Sequence, residues 1–386
     1  MNSRAIGLLV FAHMATDISQ GAIPVLLPFF IAEHNIGYAA AATVVFATNL
    51  VSTLTQPLFG HVADRRSIPW LIPVAMLCAG LGVSLTGIVP SFHIGVVVVA
   101  LSGLGVAAFH PEGARMINLL SGTKKATAMS FFAVGGQLGY AVGPLIGTAA
   151  MLLWGLKGSV SIVLPAAIGA VLLMHTLPGI SVTRAPKRGG PRVQPVQGQD
   201  AWVPFLILSA TLLCRSIIFY GLNTFLPLFW INALNQSKAA GGTALTLLMA
   251  SSIGGNLLGG RAADRFGFRA VAITGFICLM VLLPLLALAK SVAMATVLLI
   301  PIGLAFSVPT SPLVVLGQQY LPNRVGLASG VTLGLAFSFG GILMPVLGRI
   351  ADLYGLHAAI STVAVIPVVC TALTLALPKP KVQSST

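Results

Sequence analysis

Residues 92–119 read FHIGVVVVALSGLGVAAFHPEGARMINL, an apolar run that ends in a short cluster of polar side chains. About 20 apolar residues in a row are enough to cross the hydrocarbon core of a bilayer as a helix. His110, Glu112 and Arg115 lie in this run together with Pro111, which interrupts the backbone hydrogen-bond ladder. Because buried charge is costly in a membrane, the cluster indicates a substrate or proton site. The alternative is a structural ion pair near the cytoplasmic end of the helix.

Apolar runs of similar length fill most of the remaining chain. Of the 386 residues 56% are hydrophobic and 7% are charged, and the mean hydropathy is +0.98, values typical of a membrane protein. We predict an all-α membrane protein, and its first span is a membrane helix and not a cleaved signal peptide. Twelve transmembrane helices are predicted, at residues 4–31, 38–63, 69–89, 92–119, 125–153, 156–178, 201–233, 240–263, 268–289, 291–320, 324–352 and 355–378.

The basic residues lie mainly in the loops between these runs. A net charge of +14 would suggest nucleic acid in a soluble protein, but here it reads as a topology signal and predicts no nucleic-acid partner. With the N-terminus inside, sixteen Lys and Arg face the cytoplasm and four face outward. This bias predicts cytoplasmic N- and C-termini in the cell inner membrane. The segment 179–200 has no apolar run and is predicted as a cytoplasmic linker between residues 1–178 and 201–386.

The two halves of the chain repeat each other at an offset of 199 to 201 residues. Four matches at one offset indicate a duplication, and two pseudo-symmetric six-helix halves form a transporter architecture with its site near the bilayer midplane. The matching pairs are Leu27-Pro28-Phe29 with Leu226-Pro227-Leu228, Gly60-x-x-x-Asp64-Arg65 with Gly260-x-x-x-Asp264-Arg265, Pro111 with Pro312, and Gly143-Pro144-x-x-Gly147 with Met344-Pro345-x-x-Gly348.

The cytoplasmic loops of the chain resemble those of the major facilitator superfamily, and the resemblance extends over essentially the full length. The loop pattern G-x-x-x-D-R-x-G-x-R is intact from Gly260 to Arg269, whereas its first copy lacks the second glycine. The resemblance implies that these loops clamp the inward gate through Asp–Arg and helix-end contacts. A plain positive-inside turn is the alternative. The implied gating residues are Asp64, Arg65, Asp264, Arg265 and Arg269.

Four further runs resemble the fosmidomycin-resistance branch of the superfamily. This branch implies export of a phosphonate such as fosmidomycin. General drug exporters place an arginine in span 4 where this chain has Val99, so Arg115 is the candidate for that role. A span-5 run, Gly139-x-x-x-Gly143-Pro144-x-x-Gly147, resembles the antiporter motif of the family and provides a small-residue face for close helix contact. The four runs are His13-x-x-x-Asp17-x-x-Gln20, Gln56-Pro57-Leu58-x-Gly60, Phe109-His110-Pro111-Glu112-Gly113-Ala114-Arg115 and Gly135-Gly136-Gln137-x-Gly139.

Span 1 carries a polar face within an apolar helix. His13, Asp17 and Gln20 share this face, and Asp17 lies roughly 20 Å from Arg4 at about 1.5 Å per residue. A lone carboxylate near mid-bilayer must be protonated or paired, so it suits proton carriage; a structural acid with a partner is the alternative. The residues that we predict to couple protons are Asp17, Glu112, His13 and His110.

Span 7 carries a second buried charge, Arg215. An arginine does not readily lose its charge, so it needs an anion: Asp17, Glu112 or the substrate. Leucines stand in the second half where span 4 has Glu112 and Arg115, so the acids belong to the first half. We expect an anionic substrate to lie between Arg115 and Arg215, one from each half. The predicted substrate-binding residues are Arg115, Arg215, Gln20, Gln137, Tyr220 and Asn223.

Other classes of protein fit the sequence less well. H-E-x-x-H, G-x-S-x-G and Walker motifs are absent, so we predict no enzyme, no ATP coupling and no cofactor. The four widely spaced cysteines predict neither disulfides nor a metal site. A channel stays an alternative, but duplicated halves with proline-broken helices favour alternating access. A membrane scaffold or receptor fits less well, because we expect no soluble domain for signalling and such a protein has no need of buried ion pairs.

We predict a secondary transporter that works as a monomer in the lipid bilayer, with protons and a small molecule as its partners. Its mechanism is proton-coupled antiport, which exports a small polar or anionic organic compound or drug. The alternatives are export of a natural metabolite, sugar or metal-chelating compound, and a non-coupled facilitator.

Overall fold

The computed structural model describes residues 3–65, 68–122, 125–176, 199–332 and 336–378, and in these ranges the chain is helical with short turns and no strand. The prediction of an all-α fold is confirmed. Short 3₁₀ segments occupy Leu85–Gly87, Gly155–Ile162 and Pro322–Arg324, and a π-helical turn at Phe229–Ala233 continues the seventh helix. The α-helices are α1 (Ser3–His34), α2 (Tyr38–Arg65), α3 (Leu71–Ser84), α4 (Phe92–Leu120), α5 (Lys125–Trp154), α6 (Val163–Thr176), α7 (Trp202–Leu228), α8 (Lys238–Phe266), α9 (Phe268–Ala287), α10 (Val292–Ser307), α11 (Thr310–Tyr320), α12 (Val325–Gly330), α13 (Ala336–Ile342), α14 (Met344–Tyr354) and α15 (Leu356–Ala376).

The twelve predicted spans all correspond to helices. Within the described ranges, eight helical stretches are long and apolar enough to cross a membrane. One of these stretches, Ala128–Thr176, covers two predicted spans, and Leu71–Gly87 is a shorter apolar helix. The remaining two spans are α8 and the interrupted series α12 to α14.

Some spans are less regular than the hydropathy predicts. The predicted span 291–320 divides into α10 and α11, with Pro309 at the N-cap of α11. Proline has no N–H to continue the helical hydrogen bonds and is tolerated at a helix start, which explains the position of this break. In contrast, α4 continues through Pro111 without a break.

The chain folds into two compact units. Of the predicted linker 179–200, residues 179–198 lie outside the described part of the chain. The division into residues 1–178 and 201–386 therefore stays a prediction. The first unit comprises Met1–Lys187, Asn223–Ala250 and Gly341–Ala359, and the second comprises Arg188–Leu222, Ser251–Gly340 and Ile360–Thr386.

In the first unit α1 is the central helix and packs along α5. In the most apolar window of α1, 89% of the residues are buried, as expected of a helix surrounded by protein. The span-5 glycines make this contact close. A Cβ atom at Gly139 would come within 3.0 Å of the backbone of Asp17, and one at Gly143 would lie 2.8 Å from the carbonyl carbon of Gly21. Only residues without a side chain allow two helices to approach so closely.

The second unit is built around the packing of α9 against α10 and α11. Its first sharp turn separates α8 from α9 at Gly267, which has φ of +90° and so requires glycine. Arg269 lies in the first turn of α9. It donates hydrogen bonds from Nε to the carbonyl of Thr374, at 3.2 Å, and from Nη2 to the carbonyl of Leu375. A cation at the carbonyl end of α15 stabilises that helix terminus.

Candidate functional site

Three polar side chains meet in the interior of the first unit, where α1 faces α4. His13 and Asp17 come from consecutive turns of α1, and His110 comes from α4. His13 Nε2 lies 3.2 Å from Asp17 Oδ2 and 3.1 Å from His110 Nε2, while His110 Nε2 lies 3.6 Å from Asp17 Oδ1. We call this group the Asp17 cluster. It unites three of the four residues predicted to couple protons.

Hydrogen bonds to the backbone fix both imidazole rings of the Asp17 cluster. His13 donates from Nδ1 to the carbonyl of Phe132 in α5, at 2.7 Å, and His110 donates from Nδ1 to the carbonyl of Val106, at 3.0 Å. A carbonyl oxygen can only accept, so the proton of each neutral ring lies on Nδ1. Both Nε2 atoms then carry lone pairs, which face each other and the Asp17 carboxylate. With both rings neutral, the centre of the cluster consists of acceptors, which an added proton or another cation would stabilise.

The surroundings of the Asp17 cluster are apolar on one side. The ring of Phe132 stacks on His13 with centroids 4.1 Å apart, and Phe109 lies 5.7 Å from the same ring. Asp17 is 3% exposed, and its Oδ1 atom has no hydrogen-bond partner. The His110 side chain is 28% exposed, so the cluster can be reached from the side of His110.

Close packing of α5 also limits the space at the Asp17 cluster. A Cβ atom at Gly136 would lie 2.6 Å from His13 Nε2 and 2.7 Å from Asp17 Oδ2. In the sequence Gly136 is only one member of a glycine-rich run, and the Phe132 carbonyl could not be predicted because backbone acceptors leave no signature in a sequence.

Glu112 and Arg115 form an ion pair within α4. Arg115 donates from Nε to Glu112 Oε2, at 2.9 Å, and from Nη2 to Glu112 Oε1. The backbone N–H of Ile68, in the loop after α2, also donates to Glu112 Oε1, at 3.3 Å. Glu112 is 1% exposed and has partners for both oxygens. The roles predicted for it as a proton carrier and for Arg115 as a substrate ligand stay predictions, and this pairing opposes both.

Arg215 has a different environment in the second unit. It is 6% exposed, donates from Nη2 to Thr310 Oγ1 at 2.6 Å and to the carbonyl of Phe306 at 3.4 Å, and its guanidinium carbon lies 4.4 Å from the Phe306 ring centroid. Its Nε atom is buried without a hydrogen-bond partner. Among the described residues of this unit, no carboxylate forms an ion pair with it. The charge of Arg215 is therefore not compensated within its unit.

The remaining predicted ligands have local partners or none. Gln20 donates from Nε2 to Ser102 Oγ, at 2.7 Å, and so joins α1 to α4. Asn223 contacts the sulfur of Met249 at 3.7 Å, and Tyr220 is buried against the ring of Phe219. Gln137 has a buried Oε1 with no hydrogen-bond partner. Because this atom is enclosed by protein, a ligand could reach it only after the surrounding side chains moved.

The predicted gating residues are only partly visible. Asp264 and Arg265 end α8 with exposed side chains, and the guanidinium carbon of Arg265 lies 5.2 Å from the centroid of the Phe266 ring. Asp64 and Arg65 belong to the last turn of α2, and their side chains lie outside the described part of the chain. The clamp therefore stays a prediction.

Comparisons with known proteins agree with this architecture. The chain is 29% identical over 367 residues to "Uncharacterized MFS-type transporter YfnC" of Bacillus subtilis, covering 94% of this chain and 90% of that protein. It is 27% identical over 354 residues to the "Fosmidomycin resistance protein" of Escherichia coli, covering 90% and 86%.

Solved transporter structures share the fold. A bacterial homolog of the human lysosomal transporter Spinster, in an inward-facing and occupied conformation, superposes with a TM-score of 0.83 at 16% identity, covering 97% of this chain and 96% of that one. The nucleoside transporter NupG superposes with a TM-score of 0.73 at 17% identity, covering 98% and 99%. The sequence profile of the Major Facilitator Superfamily matches residues 9–345 and 210–386. The chain is therefore a multi-pass membrane transporter that belongs to the Major Facilitator Superfamily.

Proposed function

We propose that this transporter is a proton-coupled antiporter of the bacterial inner membrane that exports a small anionic organic compound. A phosphonate of the fosmidomycin type is the first candidate, because one relative at 27% identity is a fosmidomycin resistance protein. The proposal joins two steps: a substrate anion binds at Arg215, and a proton binds at the Asp17 cluster.

The observation that carries the substrate class is the uncompensated charge of Arg215. A buried guanidinium without a carboxylate is costly, and the cost falls when an anion binds to it. Its partners Thr310 and Phe306 satisfy Nη2, whereas Nε still has a proton to donate. Phosphonate and carboxylate groups present two acceptor oxygens to such a fork, so they fit this site better than an uncharged sugar or a cation does.

The Asp17 cluster supplies the proton site of the proposal. Two imidazole lone pairs and a carboxylate within hydrogen-bonding distance of one another stabilise an added proton, which the three groups can share. His110 is the exposed member and would pass the proton to and from water. Glu112 has a weaker claim to this role since Arg115 and Ile68 already satisfy its oxygens.

The decisive experiment measures fosmidomycin transport by the purified protein in proteoliposomes. A proton gradient should drive accumulation, and fosmidomycin movement should produce an opposite proton flux that a pH-sensitive dye detects. A neutral sugar and a cationic amphiphile serve as matched substrates. Transport of fosmidomycin that is equal with and without the gradient would identify a non-coupled facilitator. Proton-driven transport of the sugar or the amphiphile alone would refute the anionic substrate class.

A further inference from the structure

The Asp17 cluster also has the composition of a metal site. Within the described ranges, one group of His, Cys, Asp or Glu side chains has potential ligand atoms that all lie within 4.8 Å of one another. This group consists of His13, Asp17 and His110. We propose that this cluster binds one divalent transition-metal ion of the Zn²⁺ type. The proposal goes beyond proton coupling, since a metal ion is a different ligand with its own chemistry.

The distances between the ligand atoms suit such an ion. Zn²⁺ binds imidazole nitrogen at about 2.0–2.1 Å and carboxylate oxygen at about 2.0–2.2 Å, which separates two ligands of a tetrahedron by about 3.3 Å. In the cluster the two Nε2 atoms lie 3.1 Å apart, Asp17 Oδ2 lies 3.2 Å from His13, and Asp17 Oδ1 lies 3.6 Å from His110, so the carboxylate presents a different oxygen to each ring. One ion can therefore contact all three side chains with little movement.

The orientation of the rings is that of metal ligands. Histidines that bind a metal through one nitrogen usually donate the other ring N–H to a carbonyl or a carboxylate, which fixes the tautomer. Both rings do so here: His13 donates to the Phe132 carbonyl and His110 to the Val106 carbonyl. The two Nε2 atoms, which keep their lone pairs in the neutral rings, lie 3.1 Å apart.

A buried acceptor without a hydrogen-bond partner lies beside the two rings. Asp17 is 3% exposed, yet its Oδ1 atom has no hydrogen bond. Two nitrogen ligands and one oxygen favour Zn²⁺, Co²⁺ or Ni²⁺ over Mg²⁺ and Ca²⁺, which prefer oxygen alone. Three protein ligands leave a fourth position for water, and the partly exposed His110 gives the ion a route of entry.

The ion would bind to the same imidazole lone pairs and carboxylate that accept the proton in the proposed function. We expect bound metal to inhibit proton-driven transport, and excess chelator to restore it. This consequence rests on the proposed function, whereas binding itself does not. The test therefore measures binding directly.

The experiment titrates Co²⁺ into the full-length protein, purified in detergent with a tag that contains no histidine. Four-coordinate Co²⁺ with nitrogen and oxygen ligands has intense visible absorption, and Zn²⁺ should remove the bands by displacing Co²⁺. We expect one equivalent to bind. His110→Gln, His13→Gln and Asp17→Asn should each weaken binding by about 100-fold or more, because even the loss of a supporting partner of a metal ligand costs about 10–100-fold.

The matched control is His61→Gln, since His61 is an exposed histidine of α2 outside the cluster. This variant should bind Co²⁺ as the unmodified chain does. His110 is the most exposed ligand, so His110→Gln is the variant expected to keep its melting temperature. Absence of visible bands, or unchanged affinity in a folded His110→Gln protein, would overturn the metal site. Either result would leave proton-driven fosmidomycin transport untouched.

Discussion

The Asp17 cluster and the surroundings of Arg215 are opposite in chemistry. With both rings neutral, the cluster consists of acceptors, a carboxylate and two imidazole lone pairs. Arg215 is a buried cation whose described partners are a hydroxyl, a carbonyl and an aromatic ring. In the functions proposed above, each site would therefore bind a ligand of the opposite charge: a proton or metal ion at the Asp17 cluster and an anion at Arg215.

The contrast shows why the Glu112–Arg115 pair is a poor candidate for carrying a proton or for binding the substrate. Its two charges neutralise each other within one helix, and Glu112 also holds the loop after α2 through the N–H of Ile68. Breaking such a pair would leave a buried charge without a partner. The sites that lack a counter-charge are better suited to ligand binding than the site that has one.

Among the variants that test this comparison, Asp17→Asn should have the largest effect on transport. An amide of the same shape does not take up a proton at the carboxylate, so proton-driven accumulation of substrate should be abolished. Counterflow exchange, which needs no net proton movement, should stay partly intact. Both are measured in proteoliposomes. Wild-type accumulation by Asp17→Asn under a pH gradient would remove Asp17 from the mechanism and make Glu112 the leading acid.

Arg215→Ala should nearly abolish binding of an anionic ligand. The loss of a charge-assisted hydrogen bond costs about 1.5–3 kcal/mol, which corresponds to roughly 10–150-fold in affinity. Arg215→Lys keeps the charge but not the planar fork, and should weaken binding less. Calorimetry with fosmidomycin and with a neutral sugar measures the difference.

Arg115→Ala is the matched comparison for Arg215→Ala. Because Arg115 neutralises Glu112, its removal should lower the melting temperature without selecting between ligands. A selective loss of anion binding in Arg115→Ala would restore the predicted substrate site between two arginines. If Arg215→Ala weakened both ligand classes equally and also lowered the melting temperature, Arg215 would only hold helices together.

Gly136→Ala should disturb the Asp17 cluster without changing any of its residues. The added methyl would lie 2.6 Å from His13 Nε2, so the helices must separate or the ring must move. Overpacking of this kind costs about 1–3 kcal/mol. We expect a lower melting temperature and reduced proton-driven transport. Gly7→Ala on α1 is the control, since no atom lies within 4 Å of a Cβ there. Equal behaviour of both variants would contradict the close packing.

Asp264→Asn should have the smallest effect. Asp264 is exposed, and contacts of exposed charges contribute little, so the cytoplasmic accessibility of an introduced cysteine should rise by about fivefold or less. The same is expected for Asp64→Asn. Unchanged labelling rates in both variants would count against a loop clamp.

Helix number and fold class follow from the sequence because they depend on hydropathy and run length. The spacing of His13 and Asp17 on α1 also predicts their common face. Their meeting with His110 depends instead on the packing of α1 against α4, which a single helix pattern does not contain. The partner of Arg215 shows the same limit. Nothing in the sequence pairs Arg215 with Thr310, and only the fold shows that the Thr310 hydroxyl accepts from the guanidinium.

The contact between α1 and α5 has a mechanical consequence. A Cβ atom at Gly139 or Gly143 would overlap the backbone of α1, so a side chain at either position would force the two helices apart. His13 spans the same contact through its bond to the Phe132 carbonyl. Two of the three residues of the cluster, His13 and Asp17, therefore lie on a helix that packs closely against α5. In the proposed mechanism, α1 and α5 would therefore move together, and the access of water to the cluster would change at His110, its most exposed member.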